Sequence, residues 1–300
     1  MRVLVTGGSG FIGTSLVGEL LKAHHQVTIF DKDMSSKYPD LVVVGDVRDK
    51  DAIIKAASLW YAAKTHPSFQ DAFATLRKVL WRKRIIVMFG NATETPQNED
   101  TPLHPRSAYG ISKVAGYHLT ENYRSTYNLH ASNGILFNHE SPRRGFEFVT
   151  RKITSHAAKI KLGLQNKIKL GNLEARRDWG HAREYVKAMW LMLQQDEPGD
   201  YVVATGRTHS VREFLEVAFD YVGLNPYEYL EEDQTLYRPS EVFVLQGDAS
   251  RAKRMLEWEN NCDFESLVED MVKADLNLLS RHSRSAGIPA NVLVELGSRA

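Results

Sequence analysis

Tyr109 stands four residues before Lys113 in the run "AYGISKVAG" (108–116). On a helix this spacing puts a phenol and an ammonium on one face, one turn apart. A free tyrosine titrates near ~10 and is a poor base at neutral pH. A neighbouring cation favours a phenolate, so the pair could take a proton from a substrate hydroxyl. The lysine could also hold a cofactor ribose. A second stretch, "TGGSGFIG" (6–13), sets Gly7, Gly10 and Gly13 at GxxGxxG spacing around Phe11 and Ile12. Between a strand and a helix, such glycines allow a tight turn and let a pyrophosphate approach the backbone. The helix N-terminus then faces the anion. Asp31 ends the next strand-like run, where a carboxylate can accept both adenosine ribose hydroxyls and would repel a 2′-phosphate. That favours NAD over NADP. Asp46 and Val47 follow the third apolar run, where they can meet an adenine edge, or cap the next helix. Ala62 and Ala63 end a fourth run, where small side chains would leave room for the cofactor.

These groups need elements to hold them. "RVLVT" (2–6), "QVTIF" (26–30), "LVVVG" (41–45), "SLWYAA" (58–63) and "RIIVMFG" (84–90) read as strands. They are continuously apolar, as expected of strands covered on both faces. Helical patterns over 11–23, 50–57, 68–83 and 107–127 alternate with them. The expectation is an α/β fold: a doubly wound Rossmann-type parallel sheet over residues 1–140. "HASNGILFN" (130–138) is a further strand. After it come the polar loop "HESPRRG", helices over 148–162, 181–195 and 211–222, and a strand over 201–205. Residues 141–280 are expected to form a smaller, mainly substrate-binding domain with segments returning to the sheet. Residues 281–300 read as a flexible tail.

Bulk composition narrows the functional classes. Lys and Arg number 38 against 37 Asp and Glu, a net charge of +1. No global field favours nucleic acid or an anionic membrane, so any anion site must be local. Cys262 is the sole cysteine, which excludes an internal disulfide, and no Cys/His spacing suggests a metal. No signal-peptide pattern or membrane-length apolar run is evident, which predicts a cytoplasmic protein.

With the glycine loop, Asp31, Tyr109 and Lys113 together, the chain resembles the extended short-chain dehydrogenase/reductases that modify nucleotide sugars. "NGILFNHESPRRG" (133–145), "FVTRKIT" (148–154), "LGNLEARRDWGHAREYVKAMWLML" (170–193) and "RPSEVFVLQGDASRAKRML" (238–256) are similar to the GDP-mannose 4,6-dehydratase family. That resemblance implies oxidation at sugar C4 with Tyr109 taking the O4 proton, elimination of water across C5/C6, and hydride return to C6. It implies Asn138 near nicotinamide and sugar, and His139 and Arg144 in a cofactor-contacting loop that can reach a neighbouring subunit. Lys152, Arg177 and Arg238 would hold the nucleotide diphosphate, and Glu241 the substrate ribose. Arginine forks and a lysine point charge suit phosphate oxygens. Asp178 could instead neutralise one arginine of the 176–177 pair.

The family carries a Thr-x-Glu element on the strand before the tyrosine, the Glu serving the elimination. At the corresponding positions this chain has Ile85 and Val87, and it is short between residues 63 and 85. Two further readings therefore stand beside the dehydratase: a nucleotide-sugar 4-epimerase or 4-keto-sugar reductase, and a non-catalytic binder of NAD and a GDP-sugar. Glu94 and Glu140 would be substitute bases. The resemblance also implies GDP-mannose or a derivative as substrate and a homo-oligomer, dimer or tetramer.

Overall fold

The computed structural model describes residues 2–46, 49, 52, 56, 78–84, 86–90, 92, 94–237 and 244–285. The first three apolar runs form strands β1 (Arg2–Thr6), β2 (Gln26–Asp31) and β3 (Val42–Val44). They pair in parallel in the order β1-β2-β3, with Val3 opposite Val27 and Phe30 opposite Val43. Parallel neighbours need a crossover, and helix α1 (Phe11–Lys22) supplies the first. Its Val17 and Leu20 pack with Val5, Val27 and Ile29 into one core. In the helix expected over 50–57, Ala52 and Ala56 are helical, and the rest lies outside the described residues, as does the strand expected over 58–63.

The reading of 68–90 needs correction. Strand β4 occupies Lys78–Arg84, inside the expected helix, and Ile86–Phe89 form a helical turn, α2, inside the expected strand. Hydrophobic pattern does not separate a short buried strand from a buried helical turn. Met88 and Phe89 are fully buried. Among the described residues, β4 is the outer strand of a sheet with β5 (His130–Leu136) and β10 (Asp200–Val203), in the order β10-β5-β4.

Helix α3 (Ala108–Tyr127) starts where Ser107 Oγ accepts from the Gly110 N–H at 3.0 Å. The run expected as one strand over 130–138 divides into β5 (His130–Leu136) and β6 (Asn138–Glu140). Between them, the Phe137 N–H donates to the Val203 carbonyl at 2.9 Å, in β10 (Asp200–Val203).

The chain divides into two compact units. One comprises Met1–Arg82, Ala115–Gly134 and Tyr185–Asp200, and the other Lys83–Val114, Ile135–Glu184 and Tyr201–Ala300. In the second, helices α4 (Val149–Lys161), α6 (Val211–Tyr221) and α8 (Phe264–Ser285) pack on one another. α5 (Ala182–Met192) lies between α4 and α6 in sequence, and α7 (Ser250–Leu256) before α8. On α6, Val211, Phe214, Leu215, Ala218 and Phe219 are buried, the i, i+3, i+4, i+7, i+8 stripe of a one-sided helix. Ser210 caps it by accepting from the Glu213 N–H at 3.0 Å. These residues share a core with Ile153, Trp179, Leu267, Met271 and Cys262.

Short strands complete this unit. β7 (Ile168–Leu170) pairs in parallel with β12 (Leu230–Glu232). β8 (Arg176–Arg177) lies between β11 (His209–Ser210) and β13 (Val244–Leu245). β9 (Trp179–His181) pairs in parallel with β6. Among the described residues, no helix is long and apolar enough to cross a membrane, and no cluster of His, Cys, Asp and Glu could hold a metal ion.

Candidate active site

The glycine loop and Asp31 meet in the first unit. The Gly7 N–H donates to the Phe30 carbonyl at 2.9 Å, tying the loop to the end of β2. Gly7 takes φ +69°, a left-handed conformation that favours glycine. A Cβ on Gly13 would stand 2.1 Å from the Gly7 carbonyl oxygen, so only glycine lets α1 sit this close. α1 starts at Gly10 with no side-chain cap and no acidic residue in its first turn, and Phe11 and Ile12 open it. The Asp31 carboxylate accepts from the Ser9 N–H at 2.9 Å. Backbone pairing of Gly45 N–H with the Asp31 carbonyl (2.8 Å) brings Asp46 alongside, where it pairs with Lys32 at 2.9 Å. A bare backbone cradle at a helix N-terminus with a carboxylate on its rim fits a dinucleotide pyrophosphate and ribose. Val47, Ala62 and Ala63 lie outside the described residues.

Tyr109 and Lys113 fall in the second unit, one turn apart on α3 as their spacing predicts. Tyr109 is half exposed, and the Lys113 Nζ lies 4.7 Å from its ring centroid. The ammonium thus sits over the ring face, an attractive cation–π arrangement.

In the same unit, β6 sets Asn138 opposite Trp179 and His139 opposite Gly180. The buried His139 ring donates from Nδ1 to the Phe137 carbonyl at 2.8 Å, so Nδ1 carries a proton. Arg144 turns inward within its own chain. It is buried, pairs with Glu140 at 3.0 Å, and its guanidinium lies 3.3 Å from the Phe148 ring centroid. Glu140 also accepts from the Thr150 hydroxyl at 2.8 Å, and Glu94 from the Thr101 hydroxyl at 2.6 Å, so both proposed substitute bases have committed partners.

Of the expected diphosphate-binding residues, Lys152 and Arg177 lie among the described residues. Lys152 is half-buried on α4, and its charge, after the stronger hydrogen bonds from Thr235 and with Lys169, helps hold the Asp233 carboxyl below its usual range. Arg177, on β8, stands opposite Leu245 of β13. Residues 233 and 245 flank the stretch carrying Arg238 and Glu241, which themselves lie outside the described residues. The Arg177 Nη1 donates to the Arg176 carbonyl at 2.7 Å. Ile85 is also outside the described residues, and Val87 falls on the α2 turn rather than on a strand.

The sequence left open that Asp178 could neutralise one arginine of the 176–177 pair. Arg176 instead pairs with Glu213 at 2.9 Å, and Asp178 accepts hydrogen bonds from Thr205, Gly206 and Gly247. These partners lie 27 to 69 residues away in sequence, so local spacing gave no sign of them. The only sequence signal was an acid set between an arginine pair and an apolar "WG".

Comparison with known proteins agrees with this geometry. The GDP-mannose 4,6 dehydratase family model matches residues 87–271, and that of the NAD dependent epimerase/dehydratase family matches residues 3–60. The chain is 59% identical over 194 residues to GDP-mannose 4,6 dehydratase 1 of Arabidopsis thaliana, covering 65% of this chain and 54% of that protein. It is 50% identical over 209 residues to the Homo sapiens GDP-mannose 4,6 dehydratase, covering 64% and 56%. The chain therefore spans about half the length of the curated relatives it matches. Among solved structures, UDP-glucose 4-epimerase of Thermotoga maritima superposes with a TM-score of 0.81 at 20% identity, over 93% of this chain and 100% of that one. The dTDP-glucose 4,6-dehydratase of Bacillus anthracis gives 0.78 at 19% identity, over 95% and 98%. Those likenesses establish the α/β Rossmann-type fold. With 185 of its 300 residues (87–271) inside the first match, the chain belongs to the GDP-mannose 4,6 dehydratase family.

Proposed function

We propose that this chain binds NAD and a GDP-sugar, GDP-mannose or a derivative, and acts on the sugar in the manner of a 4,6-dehydratase. The observation that supports the reading is the family match over residues 87–271, which takes in Tyr109, Lys113, Lys152, Arg177, Arg238 and Glu241. Lys152 and Arg177 are cations of the kind that suit diphosphate oxygens. Arg238 adds a fork and Glu241 an acceptor for the ribose hydroxyls. Gly7, Gly10, Gly13 and Asp31 hold the dinucleotide, with Asp46 and Val47 at the adenine and Ala62 and Ala63 making room. NAD, when bound, supplies the hydride acceptor and donor. Tyr109 takes the O4 proton, and Lys113 places positive charge beside it. Asn138 lies near the nicotinamide and the sugar, and His139 and Arg144 belong to a cofactor-contacting loop.

Elimination across C5/C6 needs a further acid–base group, and Ile85 and Val87 stand where the family has Thr and Glu. Such assistance contributes about a hundred- to ten-thousandfold. Dehydration is therefore slow, and this observation favours, as second reading, a 4-epimerase, a 4-keto-sugar reductase or a non-catalytic binder. Incubating purified protein with GDP-mannose and NAD, followed by product analysis, tests both. A 4-keto-6-deoxy product, formed slowly, supports the first, and a C4 epimer the second. Absence of GDP binding by calorimetry overturns both.

The chain acts as a homo-oligomer in the cytoplasm. Ile111, Leu119, Tyr123 and Tyr127 support the oligomer, since they lie at multiples of four residues along α3 and are exposed.

A further inference from the structure

Asp178 is the single residue between β8 and β9. β8 carries Arg177 and belongs to the β11-β8-β13 sheet, whereas β9 pairs with β6, which carries Asn138 and His139. The chain changes sheets at this corner. The Asp178 side chain is fully buried there. Its Oδ1 accepts from the Thr205 N–H at 2.9 Å and the Thr205 hydroxyl at 2.7 Å. Its Oδ2 accepts from the Gly206 N–H at 2.9 Å and the Gly247 N–H at 3.3 Å. Its own N–H donates to the Leu245 carbonyl at 3.2 Å.

One carboxylate thus ties three chain segments together. One ends in Arg177, one is the 205–206 turn, and one leaves β13 at Gly247. Gln246 reinforces the tie by donating from Nε2 to the Gly206 carbonyl at 2.8 Å. The packing is close, since a Cβ on Gly247 would lie 2.3 Å from that of Ala204. A buried carboxylate is costly unless donors surround it, and here each oxygen has two. Neither arginine neighbour is needed to satisfy it. An amide could not replace it, because one carboxylate oxygen would become an NH2 group facing backbone donors.

We infer that Asp178 is a positioning residue, whose carboxylate fixes the β8–β9 corner against Thr205, Gly206 and Gly247 and so sets where Arg177 stands at the end of β8. The ligand that Arg177 would hold, a nucleoside diphosphate, rests on the function proposed above.

The test uses the full chain with Asp178→Asn, Thr205→Val and Thr205→Ser. Hydrogen exchange without ligand reads the corner directly, at the amides of Arg177, Gly206 and Gly247. Calorimetry reads GDP and NAD affinity separately. Asp178→Asn is expected to lose protection at all three amides and to weaken GDP by about tenfold or more, the scale of one charge-assisted contact, with NAD affinity unchanged. Thr205→Val, which keeps the backbone donors, shifts GDP binding less in the same direction, and Thr205→Ser restores it. If Asp178→Asn does not fold, Thr205→Val against Thr205→Ser decides. Retained protection in the variants, or lost protection with wild-type GDP affinity, overturns the inference. A wild-type chain that does not bind GDP overturns the nucleotide-sugar reading instead, and the exchange at Arg177, Gly206 and Gly247 then upholds or rejects the corner by itself.

Discussion

Asp31 contacts the glycine loop through the Ser9 N–H, which holds its charge at the rim of the cradle. A carboxylate at this place repels a second negative charge on the adenosine ribose. Wild-type protein is expected to bind NAD about tenfold or more tighter than NADP, the scale of one charge-assisted contact. Asp31→Ser should narrow that gap. Equal affinities in the wild type, measured by calorimetry, would remove Asp31 from the cofactor's selectivity. His181 offers a second residue-level test. Its Nδ1 accepts from the Arg183 N–H at 3.1 Å, so Nε2 carries the proton and donates to Asp270 at 3.1 Å. Burial holds its pKa below the ordinary histidine value, more strongly than Asp270 raises it, and His156 is lowered for the same first reason. Above about pH 6.5 both folded and unfolded histidines are neutral. As the pH falls below that, the unfolded chain gains protons that the folded chain refuses, so stability decreases down to the folded pKa. Melting temperature should therefore drop between about pH 7.5 and 5.5, and His181→Gln should make the drop shallower. An unchanged slope would count against the buried neutral ring.

At the level of elements, α4 and α8 are joined by more than apolar packing. The Arg151 Nη2 meets Asp275 Oδ1 at 2.5 Å, and the Thr154 hydroxyl donates to Asp275 Oδ2 at 2.8 Å, all three residues being buried. Removing one partner strands the other's charge. Asp275→Ala should cost about 3–5 kcal/mol in denaturant unfolding, whereas the double change Arg151→Met, Asp275→Leu should recover most of it. A double variant no better than the single would show that the pair itself supplies the stability. Elements with strong local signals were legible in the sequence. The Gly-rich turn between two apolar runs marked β1, α1 and β2, and the buried stripe with its Ser210 cap marked α6. The four apolar residues from Ile86 to Phe89 were not legible, because they satisfy both a strand and a helical turn. The Asp178 corner was hidden for another reason: its donors come from far along the chain, and only the folded backbone assembles them.

For the molecule as a whole, the exposed ridge on α3 sets an expectation for assembly. A two-fold dimer would bury the same ridge from each copy. Light scattering should find a dimer or tetramer, and Leu119→Arg with Tyr127→Glu should shift it to monomer without lowering the melting temperature of the chain. A wild-type monomer would leave the ridge to another purpose. The core of the second unit has one more consequence. Cys262, the chain's sole thiol, is 4% exposed within that core, and burial pushes its pKa up. Thiolate is the form that reacts with alkylating reagents. The native protein therefore carries a built-in clock: iodoacetamide can consume its one thiol only as fast as the second unit opens, while the first unit, which has no thiol, stays silent in the same trace.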